Sequence, residues 1–193
     1  MTRIEIINAL IKKHNYTKYL EIGTQNNVCF NAINIENKVG VDPVSGGTFR
    51  GTSDEFFAQN TETFDIIFID GLHTAEQVHI DIINALNCIS DNGTILIHDC
   101  LPMTELYQQV PRISKVWNGD VWKGWAQFIS ECEFTNICTI DTDCGIGVLL
   151  PEIDNIVTDA KIYATDLTWE DFEVIKKRYM NVVSAEEFKQ KYL

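Results

Sequence analysis

The chain has 193 residues, 45% hydrophobic and 22% charged, with a formal net charge of −13 and a pI near 4.6. That length suits one domain with a sizeable core, and so acidic a surface repels phosphate backbones, which argues against a nucleic-acid partner. No run reaches the ~18 consecutive apolar residues of a membrane span, and "MTRIEIINALIKKHN" lacks a leader's apolar core and small-residue cleavage site.

That opening reads instead as an amphipathic helix. Thr2–Glu5, "TRIE", has the form of a capping box, and Ile6, Ile7, Leu10 and Ile11 follow at helical spacing. "KYLEIG" (18–23) is a short strand stopped by glycine, and "NNVCFNAINIEN" a helical stretch leading to a second strand, "KVGVDP" (38–43). "VSGGTFRGT" leads into or contains a brief third strand, and a helix opens at Ser53. "FDIIFID" is the fourth strand. The next helix, "TAEQVHIDIINALNCIS", has Val78, Ile82, Ala85, Leu86 and Ile89 on one face, and "DNG" stops it before the strand "GTILIHD" (93–99).

Residues 103–132 have helical potential and contain "WNGDVWKGW"; "FTNICTI" and "GIGVLLP" then pair as an antiparallel hairpin. After Pro151, "TWEDF" and "SAEEF" signal two further helices, so residues 152–193 read as a helical appendage packed on the domain of residues 1–151. Alternating strands and helices predict an α/β fold: a doubly wound, mostly parallel sheet with helices on both faces and an antiparallel edge hairpin. Six cysteines (Cys29, Cys88, Cys100, Cys132, Cys138, Cys144) form no CxxC pair and read as free thiols in a reducing cytoplasm.

Acids gather at the strand ends: Glu21 before Gly23, then Asp42, Asp70 and Asp99, with Asp54 after the third strand. In an open parallel sheet that rim is where ligands bind. Of the G-x-G-x-x-G turn that cradles a dinucleotide's pyrophosphate, only Gly23 is kept, while Asp42 lies 19 residues on, where a ribose-binding acid belongs. The expected ligand is a nucleoside without phosphates.

"YLEIGTQNN", "TSDEFF", "FDIIFIDGLHTAEQVHIDI", "GTILIHDC" and "GDVWKGW" together resemble the class I S-adenosylmethionine (SAM)-dependent methyltransferases. The likeness is to the small glycan- and natural-product-associated group related to macrocin-type sugar O-methyltransferases, over about residues 19–151. It implies a Rossmann-like seven-stranded sheet, with residues 1–151 as the SAM-binding domain. It further implies that Glu21, Gly23 and Thr24 hold the methionine part of SAM, Asp42 the ribose, and Ser53 and Asp54 the adenine edge, with Asp70 also at the cofactor. Asn27 replaces a later glycine of the first motif.

A hydroxyl acceptor must lose a proton as it attacks the methyl group. Transfer from a phenol (pKa about 10) to histidine (about 6.5) is uphill by roughly 5 kcal/mol, and a cation would remove that deficit. His98 and Asp99 lie 28 and 29 residues after Asp70, the spacing at which cation-dependent O-methyltransferases place their ligands, and His73 stands three residues after Asp70, where they keep a base. The resemblance therefore implies His73, Asp70 and Asp99 as catalytic and Asp70, His98 and Asp99 as the metal set. His98 departs from the all-oxygen sets that suit Mg²⁺; Mn²⁺, Fe²⁺ or Zn²⁺ would accept it, or His98 is itself the base with no metal bound. Trp117, Trp122 and Trp125 either wall an acceptor pocket or are core or dimer contacts, and Asp120 and Lys123 could orient an acceptor.

The expectation is an O-methyltransferase using SAM, with a divalent cation (Mg or Mn) as a second cofactor left open. Its partner is a small-molecule or glycan acceptor, without nucleic acid or membrane, and a homo-oligomer is left open. The competing reading is a non-catalytic nucleoside-binding module on the same fold; the single-glycine turn disfavours a nicotinamide-dependent dehydrogenase.

Overall fold

The structure, a computed structural model, describes residues 1–131, 137–151 and 161–193. Helix α1 (Arg3–His14) starts as expected: Thr2 and Glu5 exchange the two capping-box hydrogen bonds, and Ile6, Ile7, Leu10 and Ile11 are buried. The strands are β1 (Lys18–Ile22), β2 (Asn37–Asp42), β3 (Phe49–Arg50), β4 (Phe64–Ile69), β5 (Ile89–Ile97), β6 (Ile137–Asp141), β7 (Ile146–Leu149) and β8 (Val182–Ser184). They form one sheet in the order β3-β2-β1-β4-β5-β7-β6-β8. Only β7 runs antiparallel to its neighbours, β5 and β6.

The sheet has eight strands rather than the expected seven, and β8, parallel to β6, takes the edge that the β6–β7 hairpin was expected to hold. A three-residue strand is too short to show period-two alternation, so the tail reads as helical from sequence alone. Its helices are there as well: "TWEDF" opens a 3₁₀ turn and α7 (Phe172–Arg178), and Ser184 caps α8 (Ala185–Tyr192) through a box with Glu187. The beginning of "FTNICTI" and of the tail, and Cys132, lie outside the described residues.

The central strands read as unbroken apolar runs because both faces are covered. Leu20, Ile22, Ile67, Ile69, Ile95 and Ile97 face one core, beneath α3 (Ser53–Phe57), α4 (Ala75–Leu86), α6 (Val121–Glu131) and α7. Tyr19, Ile66, Phe68 and Leu96 face the other, beneath α1, α2 (Val28–Ala32) and α8. Each such side chain taken fully from water contributes about 1.5–3 kcal/mol. Helix α4 ends at Leu86, four residues before the expected Ser90: Phe64 N–H donates to Cys88 O at 2.8 Å, and Ile89 pairs with Phe64 in the sheet. Within 103–131 only α6 and a short α5 (Glu105–Gln108) are helical. Among the described residues no helix is long and apolar enough to cross a membrane.

Candidate active site

Parallel register gathers the acids. Ile22 pairs with both Val41 and Ile69, and Ile69 with Ile97, so Gly23, Asp42, Asp70 and His98 follow at four adjacent strand ends. The strand order reverses between β1 and β4, and there a cavity of about 820 Å³ opens, within the size range of small-molecule sites. Gly23 makes the floor possible. Its φ is +88°, and a Cβ there would lie 2.0 Å from Asp70 O, so no side chain fits between β1 and β4.

At the β2 side, the Asp42 carboxylate accepts from the backbone N–H of Gln25, Val44 and Ser45, each at 2.8 Å. Burial would raise its pKa, but these bonds and nearby Arg50 outweigh that and hold it low. Ser53, Asp54 and Gln77 close this end, with Gln77 Nε2 donating to Asp54 and to Asp81 at 3.0 Å each. Asp81 is fully buried, its Oδ2 has no hydrogen-bond partner among the described residues, and burial pushes its pKa up to about 6.

Glu21 and Thr24 are not on the cavity wall. Strand alternation turns Glu21 to the opposite face of β1 from Ile22, where Tyr19 O–H donates to it, and burial pushes its pKa up to about 7 despite that bond. Thr24 packs behind the β2–β3 loop, beside Gly46 and Gly47.

Asp70, His73, His98 and Asp99 meet in one cluster. His73 Nε2 lies 3.2 Å from Asp70 Oδ1 and its Nδ1 3.1 Å from Asp99 Oδ2. Burial alone would lower the His73 pKa; the two carboxylates outweigh it and raise it. Asp70 is held far below the usual carboxylate range, the neighbouring imidazoles outweighing its burial. His98 Nδ1 sits 3.3 Å from both Asp70 and Asp99, while Arg3 Nη1 approaches Nε2 at 2.8 Å. Burial alone would lower the His98 pKa; Asp70, Asp143 and Asp99 outweigh it and raise it well above the usual histidine value.

Asp70, His73 and Asp99 can each offer one ligand atom, all within 4.8 Å of one another, a set that shares its two aspartates with the expected one. Two oxygens and one nitrogen fit Mn²⁺, Fe²⁺ or Zn²⁺ better than Mg²⁺. Counting fixed charges, Asp70, Asp99 and Asp143 surround the single guanidinium of Arg3, which binds Asp143 Oδ1 at 2.9 Å. The raised pKa values of His73 and His98 bring further positive charge to these carboxylates.

The cover over His73 comes from residues 103–120. Trp117 stacks on the His73 ring with centroids 5.1 Å apart, and Gly119 lets that loop approach, since a Cβ there would meet His73 O at 1.8 Å. Asn118 Nδ2 donates to Asp99 Oδ1 at 2.6 Å, holding an aspartate whose φ of +65° is otherwise unfavourable. Of the three tryptophans only Trp117 lines the cavity. Trp122 and Trp125 are fully buried core residues, donating to Gln108 Oε1 and Thr139 Oγ1, because their helix α6 lays its apolar face on the sheet. Asp120 accepts from Ala75 N–H at the start of α4 and Lys123 donates to Leu167 O, so both serve the scaffold. Nor do the described cysteines take part: all five are free, and burial pushes Cys29 to about 12 and Cys88 to about 11.

Sequence reasoning missed Arg3, Asp81, Arg112, Asn118 and Asp143. The first turn of a helix and a hairpin turn carry no local sign that they meet a strand end far away in sequence. Asp81 alone left a trace, a carboxylate on the buried side of α4.

Residues 10–100 match the family model described as a methyltransferase domain. No curated protein matches the sequence. Among solved structures, the chain is similar to an O-methyltransferase from Bacillus cereus in complex with SAH (TM-score 0.57, 14% identity, 77% of this chain and 80% of that one). It is also similar to the SAH-bound Podospora anserina methyltransferase PaMTH1 (0.58, 14%, 76% and 76%). A third is the O-methyltransferase TomG from Streptomyces achromogenes, involved in tomaymycin synthesis and in complex with SAM (0.55, 12%, 77% and 78%). The fold is that of the class I methyltransferases. Residues 10–100, over which that family model matches, hold β1 to β5 and the acids at their ends.

Proposed function

We propose that the protein is a SAM-dependent O-methyltransferase acting on a hydroxyl of a sugar, a glycan or another small hydroxylated metabolite. The observation that carries this reading is the meeting of Asp42, Asp70, His73 and Asp99 on one cavity at the switch point of the sheet. A nucleoside and a small acceptor fit side by side in that volume. In this reading Asp42 has little acceptor capacity beyond its three backbone partners, enough for one ribose hydroxyl, and Ser53 and Asp54 face the adenine. The carboxylate of Asp70 lies where a sulfonium would be attracted, and Gly23 leaves the floor open for the methionine chain.

His73 is the proton acceptor, kept in place by Asp70, Asp99 and the Trp117 ring. One of its two carboxylate contacts must open for a ring nitrogen to face the hydroxyl. Holding hydroxyl and methyl in near-attack geometry would supply about 7–11 kcal/mol. Transfer with a cation is a second reading, favoured by the three ligand atoms that Asp70, His73 and Asp99 bring within 4.8 Å of one another. Asp70, His73 and Asp99 would then hold the ion, which would lower the pKa of the bound hydroxyl. The same imidazole cannot be ligand and base at once. A cytoplasmic setting, which suits five free thiols, is proposed with it.

Calorimetry with S-adenosylhomocysteine tests the cofactor; absence of binding ends this proposal. Methyl transfer to a hydroxylated acceptor panel, before and after dialysis against EDTA and on Mn²⁺ add-back, separates the two readings. Activity unchanged by EDTA assigns His73 as base without metal.

A further inference from the structure

The floor of the cavity is acidic, but its mouth is not. From Leu106 to Gly119 the chain carries Arg112 and Lys115 and no acid, in a protein of net charge −13. Two arginines line the cavity. Arg3 is committed to Asp143 and His98. Arg112, among the described lining residues, is the cation without a carboxylate partner. Its guanidinium donates to the backbone carbonyls of Ser114 and Lys115, which fix its direction and leave about three of its five N–H donors free.

The guanidinium also lies over the Trp117 ring, 5.6 Å from the centroid, and that ring lies 5.1 Å from His73. Base, aromatic face and cation therefore form a ladder, and the separation of Arg112 from His73 cannot exceed those two spans together. Beside it Leu72, Ile113 and Val116 are exposed, an apolar rim around a single charged fork. A fixed guanidinium fork of this kind is matched by a carboxylate or phosphate, not by a neutral hydroxyl.

We propose that the acceptor is a hydroxylated anion, bearing a carboxylate or a phosphate, and that Arg112 binds this group while the hydroxyl lies at His73. The proposal rests on the methyltransferase reading and narrows its substrate class. The overall negative charge does not forbid such a ligand, because acids more than about 8–10 Å away are screened at ordinary ionic strength and the fork acts at contact.

The test is calorimetry on the full chain saturated with S-adenosylhomocysteine, titrated with glucose, glucuronate and glucose 6-phosphate. At least one anion is expected to bind about tenfold or more tightly than glucose, and which one distinguishes carboxylate from phosphate. Arg112→Ala is expected to remove the preference and Arg112→Lys to keep part of it. Both should leave S-adenosylhomocysteine affinity and melting temperature unchanged, since the side chain is exposed. Equal binding of all three probes, no binding of either anion at millimolar concentration, or a preference surviving Arg112→Ala overturns the proposal. If S-adenosylhomocysteine itself fails to bind the unaltered protein, the methyltransferase reading falls instead.

Discussion

The floor and the cover of the cavity are built by different means. The floor is the row of strand ends Gly23, Asp42, Asp70 and His98, fixed by sheet register and by apolar cores on both faces. The cover, residues 103–120, has one four-residue helix and exposes Met103, Leu106, Val110, Ile113 and Val116. Rigid strands suit groups that must meet within an ångström, whereas a loop can change without disturbing the sheet. In the proposed reading the chemistry belongs to the floor and acceptor choice to the cover.

The sharpest way to break that division is at His73. Replacing it with Ala should lower methyl transfer by about 10²–10⁴-fold while S-adenosylhomocysteine affinity stays within a few-fold, read by single-turnover rates and calorimetry. A comparable loss of cofactor affinity would put His73 in the cofactor site instead. Gly23→Ala forces a Cβ to 2.0 Å from Asp70 O at a φ of +88°, so stability in urea should fall by about 3 kcal/mol, together with cofactor binding.

Next in size is pH. Glu21 and Asp81, buried beneath the floor, titrate near 7 and 6 in the folded chain against ordinary values of 4.5 and 3.8. Their contribution is fully present below those ordinary values and is lost as pH rises through 6 and 7. Melting temperature should therefore fall between pH 5 and 8, and Glu21→Gln should flatten the fall by an amount on the order of 2–3 kcal/mol. An unchanged profile would mean that Glu21 is solvated. The smallest effect belongs to the cover: Trp117→Ala should raise the acceptor KM about tenfold, leave cofactor affinity alone, and cost about 1 kcal/mol of stability with its bond to Gln109 O. Weakened cofactor binding in this variant would erase the boundary between floor and cover.

Legibility follows the same boundary. Thr2, Ser53 and Thr74 mark helix starts, the apolar runs of β1, β4 and β5 mark buried strands, and an acid ending each strand marks the rim, all within a few residues of chain. The cover gave weaker signals. Three tryptophans in nine residues look alike in sequence, yet Trp117 faces the cavity and the other two pack in the core. Helical phase separates them only once the start of α6 at Val121 is known. Likewise β8 is too short to announce itself, and Glu21 belongs to the rim by sequence but to the buried face by alternation.

By itself the sequence determined the α/β alternation, the capped helices and which acids end which strands, because those depend on local periodicity and on neighbours a few residues apart. Only the tertiary structure decided that Arg3 and Asp143 join His98, that Asn118 holds Asp99, and that His73 comes close to both Asp70 and Asp99. Those partners come from a helix start, a hairpin turn and a loop, and their meeting depends on how whole elements pack, which leaves no trace in the spacing of residues along the chain.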